Sequence, residues 1–143
     1  MTKVDFYILD DSQPLQRLRF ACRLAEKAWQ QGHRVYIHTV DSSESQRMDE
    51  LLWTFRDGSF VPHQVIDATP PDELTPIHIG HGDHPHNHDT VLINLADSVP
   101  LFFSRFERVA EVIGGDEPQR ALGRERFRFY KERGYPLEHH TIG

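Results

Sequence analysis

An α/β fold with a mostly parallel sheet and helices on both faces is what this sequence predicts, and three observations predict it. Short apolar runs alternate with longer amphipathic segments along the chain. Turn and cap residues fall between them. The length of 143 residues suits a single domain, 1–143, around one core, and no internal repeat or linker breaks it. Hydrophobic residues make up 38% and charged residues 27%, the balance of a globular chain.

The elements follow in order. "VDFYIL" (4–9) is a short apolar run, as expected of a buried strand. In "DDSQPL", Ser12 is suited to cap a helix and Pro14 to its first turn. Leu15, Leu18, Cys22, Ala25 and Trp29 then recur at helical spacing, and Gly32 ends the helix. "RVYIHTV" reads as a second strand. "DSSESQRMDELLW" restarts a helix, with Ser42 or Ser43 as cap and Met48, Leu51 and Leu52 on its apolar side. "FRDGSFVPHQVI" is a turn and then extended chain, because the residue before Pro62 is pushed out of the α region. "TPPDELTP" is a loop. "IHI" and "TVLINL" are strands on either side of a histidine-rich segment. "PLFFSRF" is a helical turn, "RVAEVI" a strand, and "DEPQRALGRERFRFYKERG" a helix ending at Gly134.

Composition removes several function classes. No stretch reaches the roughly 20 apolar residues of a membrane span, and the N-terminus turns acidic at once, unlike a signal peptide. The single cysteine rules out an internal disulfide and fits a reducing, cytoplasmic setting. A net charge of −6 argues against general affinity for nucleic acid. Basic charge is concentrated at the C-terminal end, where residues 120–143 carry six Lys/Arg against three Asp/Glu. The turn after the first strand, "DDSQPLQ", has two carboxylates and no glycine, so the fold is Rossmann-like with no nucleotide site. No G-x-x-x-x-G-K-[ST] or G-x-S-x-G motif occurs. Asp10 and Asp11 read as a strand end leading into a helix cap, and Cys22 as a buried structural thiol.

Three stretches remain as candidates. "HIGHGDHPHNHD" (78–89) holds five of the ten histidines: His78, His81, His84, His86 and His88. Catalytic zinc needs three ligands on a fixed scaffold. Gly80, Gly82 and Pro85 break any helix that would supply one, and "HGDHPHNHD" (81–89) reads as a surface loop. "LLWTFRDGSFVPH" crowds Trp53, Phe55, Phe60 and Val61 into a turn region, either as a roof over the core or as an anchor for a partner. In "RALGRERFRFYKERGY", a helical rotation of about 100° per residue puts Arg120, Arg124, Phe127 and Lys131 on one stripe, with Leu122 and Phe129 opposite. An aromatic among cations suits a ligand both anionic and apolar. Single-stranded nucleic acid and an acidic peptide with a hydrophobic end both fit, and the overall negative charge favours the peptide.

"FYILD", "RMDELLWTFRDGSFVPH", "VLINL" and "RALGRERFRFYKERGY", in that order and at these separations, resemble the chi subunit of bacterial DNA polymerase III holoenzyme over nearly the whole chain. The resemblance implies a non-enzymatic accessory of the clamp loader in DNA replication, with no cofactor and no metal. It implies two partners: the psi subunit, and the acidic C-terminal tail of single-stranded DNA-binding protein, which ends in Pro-Phe with a free carboxylate. Carried over by position, Trp53, Phe60 and Val61 belong to the psi-facing patch, which a repair helicase also uses. Arg120, Arg124 and Phe127 form the tail pocket, with Ile113 as a wall. The family commonly has Lys and Tyr where this chain has Arg120 and Phe127, so charge and ring are kept and the phenolic hydroxyl is lost. DNA is then contacted only indirectly. Two other readings stay open: a metal-dependent hydrolase on the His78–His88 segment, and direct single-stranded nucleic-acid binding by the C-terminal basic helix.

Overall fold

A computed structural model describes residues 1–58, 60–82 and 88–143. The strands are β1 (Lys3–Leu9), β2 (Val35–His38), β3 (His63–Val65), β4 (Ile77–Gly80), β5 (Val91–Asn94), β6 (Arg108–Ile113) and β7 (Leu137–Ile142). The helices are α1 (Pro14–Gln30), α2 (Ser42–Thr54) and α3 (Glu117–Glu132), with a 3-10 turn at Phe103–Arg105. All seven strands join one sheet in the order β3-β4-β2-β5-β6-β1-β7, and every pairing is parallel. The expected α/β architecture is the one observed.

Strand alternation sorts the core into two layers. On one face α1 and α2 bury Leu18, Ala21, Cys22, Ala25, Met48 and Leu52 against Ile37, Ile79, Ile93 and Val112. On the other, Tyr130 of α3 and the Phe102, Phe103 and Phe106 cluster pack on Val4, Phe6, Leu92, Val109 and Ile113. Helices therefore cover both faces.

Several local expectations are corrected. Asp41, not Ser42 or Ser43, caps α2: its Oδ1 accepts from Glu44 N at 2.8 Å, and Glu44 Oε1 accepts from Val40 N at 3.0 Å. The reciprocal arrangement satisfies two orphan amides, which a lone serine does not. Gln13, not Ser12, occupies the cap of α1 and makes no side-chain cap bond, while Asp11 Oδ1 accepts from Gln13 N. Leu15 is exposed, and Arg17 takes the inward position, donating to Val112 O at 2.9 Å and Leu95 O at 2.8 Å. A buried guanidinium there caps the free carbonyls at the ends of β5 and β6. Gly32 and Gly134 end α1 and α3 as expected, both at positive φ. The seventh strand, β7, was not expected. It is an edge strand with a broken apolar pattern and an adjacent proline, and its partner is β1, more than a hundred residues earlier.

Candidate functional site

The C-terminal helix is held by charge at both ends of its inner face. Asp116 caps it, accepting from Gln119 N at 3.4 Å. The turn before it runs close beneath the end of β1. Gly115 N donates to Asp11 O at 2.9 Å, and a Cβ at Gly115 would sit 2.3 Å from Asp10 O, so only glycine fits. Deeper in, Glu111 of β6 is fully buried. It accepts from Arg126 Nε at 2.8 Å, Tyr130 OH at 2.7 Å and Asn94 Nδ2 at 3.0 Å. Burial and the Glu111 charge push the Tyr130 phenol well above its usual range, so it stays a donor.

That network sets the rotation of α3. Its buried residues are Gly123, Arg126 and Tyr130. The expected opposition of Phe127 to Leu122 and Phe129 is therefore corrected. Arg126 is drawn inward by its carboxylate partner, Glu111 of β6. Phe127 turns half inward and meets Phe6 edge-on, with ring centroids 5.3 Å apart. Phe129 packs against Phe103 at 5.7 Å, under the Arg133 guanidinium at 3.6 Å. Lys131 of the expected stripe is exposed and lines no part of the site described next.

Between α3 and β1 lies a pocket of about 240 Å³, lined by Phe6, Ile8, Ile113, Arg120, Gly123, Arg124 and Phe127. Ile113, Arg120, Arg124 and Phe127, all expected from the sequence, converge on it. Phe6, Ile8 and Gly123 were missed. Phe6 and Ile8 were legible in the alternation of β1, which sends them to the same face. A glycine in a helix interior, costing about 1 kcal/mol against alanine, was the signal for Gly123. A Cβ there would sit 3.0 Å from Ile113 Cδ1, so the glycine lets Ile113 rise against the helix and form the floor. Arg120 is pinned, its Nε donating to Gly115 O at 3.0 Å. Arg124 is exposed and pairs with Glu117 at 2.6 Å. An apolar slot with guanidinium groups at its mouth is shaped for an apolar side chain that carries a nearby carboxylate.

A second surface sits at the far side of the sheet. Trp53, the penultimate residue of α2, is 48% exposed, and Phe60 is 79% exposed. Their rings meet at 6.0 Å, and Trp53 also lies against His63 in a tilted contact at 4.4 Å. Val61 is corrected: it is fully buried in the core and anchors the segment from below. Extended chain alternates, so Phe60 outward puts Val61 inward. The patch is on the α2 face and the pocket on the α3 face. Four strand spacings separate β4 from β1, roughly 19 Å.

The histidine segment divides. His78 lies in β4, and His88 is buried beside it, their rings stacked at 3.6 Å. His78 Nε2 donates to Asp72 O at 2.8 Å and His88 Nε2 to Thr75 O at 2.6 Å. Burial pushes the His88 imidazole down to about 4, so it is neutral at pH 7. His78 thus falls in the expected "IHI" strand, and the expectation of a surface loop over 81–89 is corrected for His88, whose ring is held inside by stacking and by the carbonyl partner of its Nε2. His84 and His86 lie outside the described residues. Among the described residues, the one cluster with metal-ligand spacing is Asp5, Glu138 and His140, none of them from this segment. Arg108 already donates to Asp5 there at 2.9 Å. Cys22 is fully buried, and burial pushes its thiol up to about 12, which removes it as a nucleophile.

Residues 1–138 match the family described as DNA polymerase III chi subunit, HolC. The chain belongs to the DNA polymerase III chi subunit family. It is 44% identical over 142 residues to the DNA polymerase III subunit chi of Pseudomonas aeruginosa PAO1, covering 99% of this chain and 98% of that one. It is 30% identical over 140 residues to the subunit chi of Haemophilus influenzae and 29% over 142 residues to that of Escherichia coli K12, covering 96% of each chain in both comparisons. The chi family match spans both the pocket and the aromatic patch. Among the described residues no helix is long and apolar enough to cross a membrane.

Proposed function

We propose that this chain is a non-catalytic, cytoplasmic accessory of the DNA polymerase III clamp loader that joins two partners through two separate surfaces. The pocket between β1 and α3 takes the acidic C-terminal tail of single-stranded DNA-binding protein. The tail's final phenylalanine enters over Ile113 and Gly123 beside Phe127, and Arg124 meets the terminal carboxylate. Arg120 adds a second positive charge at the mouth. On the other face, Trp53 and Phe60 dock the psi subunit, and a repair helicase competes for the same two rings. No cofactor or metal takes part, and DNA is reached through the tail protein.

One observation carries the reading. Four residues expected from sequence to read an apolar anion line one pocket, although Ile113 comes from a strand and the others from a helix. The test is a titration with an acidic peptide ending in Pro-Phe, against a single-stranded oligonucleotide as the competing ligand. Peptide binding that Arg124→Ala weakens supports the reading. Oligonucleotide binding as tight as the peptide's overturns it in favour of a nucleic-acid site.

A further inference from the structure

We propose that Glu117 is a built-in competitor for the pocket's arginine, an internal carboxylate that holds Arg124 until a ligand carboxylate displaces it. The inference rests on the tail-pocket reading. Glu117 opens α3 and Arg124 lies seven residues on, about 10 Å along the axis. Contact at that spacing requires both side chains to extend along the helix surface toward each other, past Arg120. They do: Arg124 Nη2 donates to Glu117 Oε1 at 2.6 Å. Helical side chains lean toward the N-terminus, so Arg124 reaches back without strain.

The two arginines of the pocket differ in how they are held. Arg120 is half-buried, with Nε on Gly115 O and Nη2 3.5 Å from Leu9 O. Those backbone acceptors do not move, so Arg120 supplies a fixed charge. Among the described residues Arg124 has one partner, and both members of that pair stand in solvent, with side chains 61% and 74% exposed. An exposed ion pair of this kind changes an equilibrium constant by no more than about fivefold. A charge-assisted contact at the rim of an apolar slot is stronger. The internal pair is thus tight enough to pre-position the guanidinium and weak enough to give way. The consequence is selectivity. A ligand with a terminal carboxylate replaces what Arg124 gives up, whereas a ligand lacking one leaves the Glu117 pair in place.

The experiment titrates one synthetic acidic peptide ending in Pro-Phe, as the free acid and as the amide, into wild type, Glu117→Gln, Arg124→Ala and the double variant. Thermal denaturation of each variant checks the fold. Glu117→Gln is expected to bind the free acid about two- to fivefold more tightly than wild type, to bind the amide as wild type does, and to have no effect on the Arg124→Ala background. An equal gain for acid and amide overturns the proposal, because it marks a general field effect of one lost negative charge. A gain that survives in Arg124→Ala overturns it too. Failure of the pocket reading looks different: wild type then binds neither peptide, or Arg124→Ala binds both as tightly as wild type.

Discussion

Removing the guanidinium of Arg126 is the sharpest test of how α3 is held. Arg126→Met keeps most of the side-chain volume and deletes the charge. Arg126 is 3% exposed and Glu111 fully buried, so the variant strands a carboxylate in the core with, among the described residues, Tyr130 and Asn94 as its remaining donors. Breaking a buried pair by removing one partner costs about 3–5 kcal/mol. For a domain of this size each kcal/mol moves Tm by about 2–6 °C, so a drop of about 6–30 °C is expected. Glu111→Gln on the same background removes the stranded charge, and its amide still accepts from Tyr130. The double variant is therefore expected to be clearly less destabilised than the sum of the two singles. Urea unfolding of the four proteins at pH 7 gives the cycle, read from midpoints at constant m. Costs that simply add, or an Arg126→Met cost below about 1 kcal/mol, typical of an exposed ion pair, would refute the claim that this pair fixes the rotation of the helix.

Other outcomes are equally specific. The His88 imidazole titrates near 4 in the folded chain against 6.5 for the ordinary side chain, so the unfolded chain binds more protons between those values. Stability from this group is full above about pH 6.5 and declines as pH falls toward 4. At 1.36 kcal/mol per unit the loss is up to about 3 kcal/mol, and urea midpoints at pH 7 and 4.5 should differ less in His88→Gln than in wild type. Phe60→Ala should cost about 2–4 kcal/mol of psi affinity and leave tail-peptide binding unchanged, since the two surfaces lie on opposite faces of the sheet; equal loss at both, with altered circular dichroism, would mean the substitution unfolds the chain. Cys22 should resist a chromogenic thiol reagent in the native protein and react at once in urea, and rapid native labelling would show that its pocket opens.

The fold was legible because its signals are local. Apolar runs such as Val4–Leu9 and Arg108–Ile113, and the glycines at 32 and 134, announce elements through periodicity and caps alone. What escaped depended on distant partners. Strand β7 exists because β1 offers it an edge, and nothing in "PLEHHTI" encodes that. Arg17 and Arg126 are buried because carbonyls of β5 and β6 and the Glu111 carboxylate await them, while residue type alone sends arginine outward. The pocket shows both sides. Arg120, Arg124 and Phe127 were found by helical spacing, but the depth of the slot comes from Gly123 meeting Ile113 across two elements. Val61 was grouped with Phe60 by adjacency, and strand alternation separates them.

The pocket assignment stands or falls on one titration: the acidic peptide ending in Pro-Phe, free acid and amide, against wild type and Arg124→Ala at low and high salt. A charge-assisted contact is worth about 1.5–3 kcal/mol, so Arg124→Ala should weaken binding of the free acid about tenfold to a hundredfold. Amidation should erase most of the difference between the two proteins. Deleting the peptide's phenylalanine should weaken binding to both alike, and the smaller contribution of Arg120 should fade as salt rises. Wild-type affinity that is indifferent to amidation would contradict the account, because Arg124 would then be reading no carboxylate.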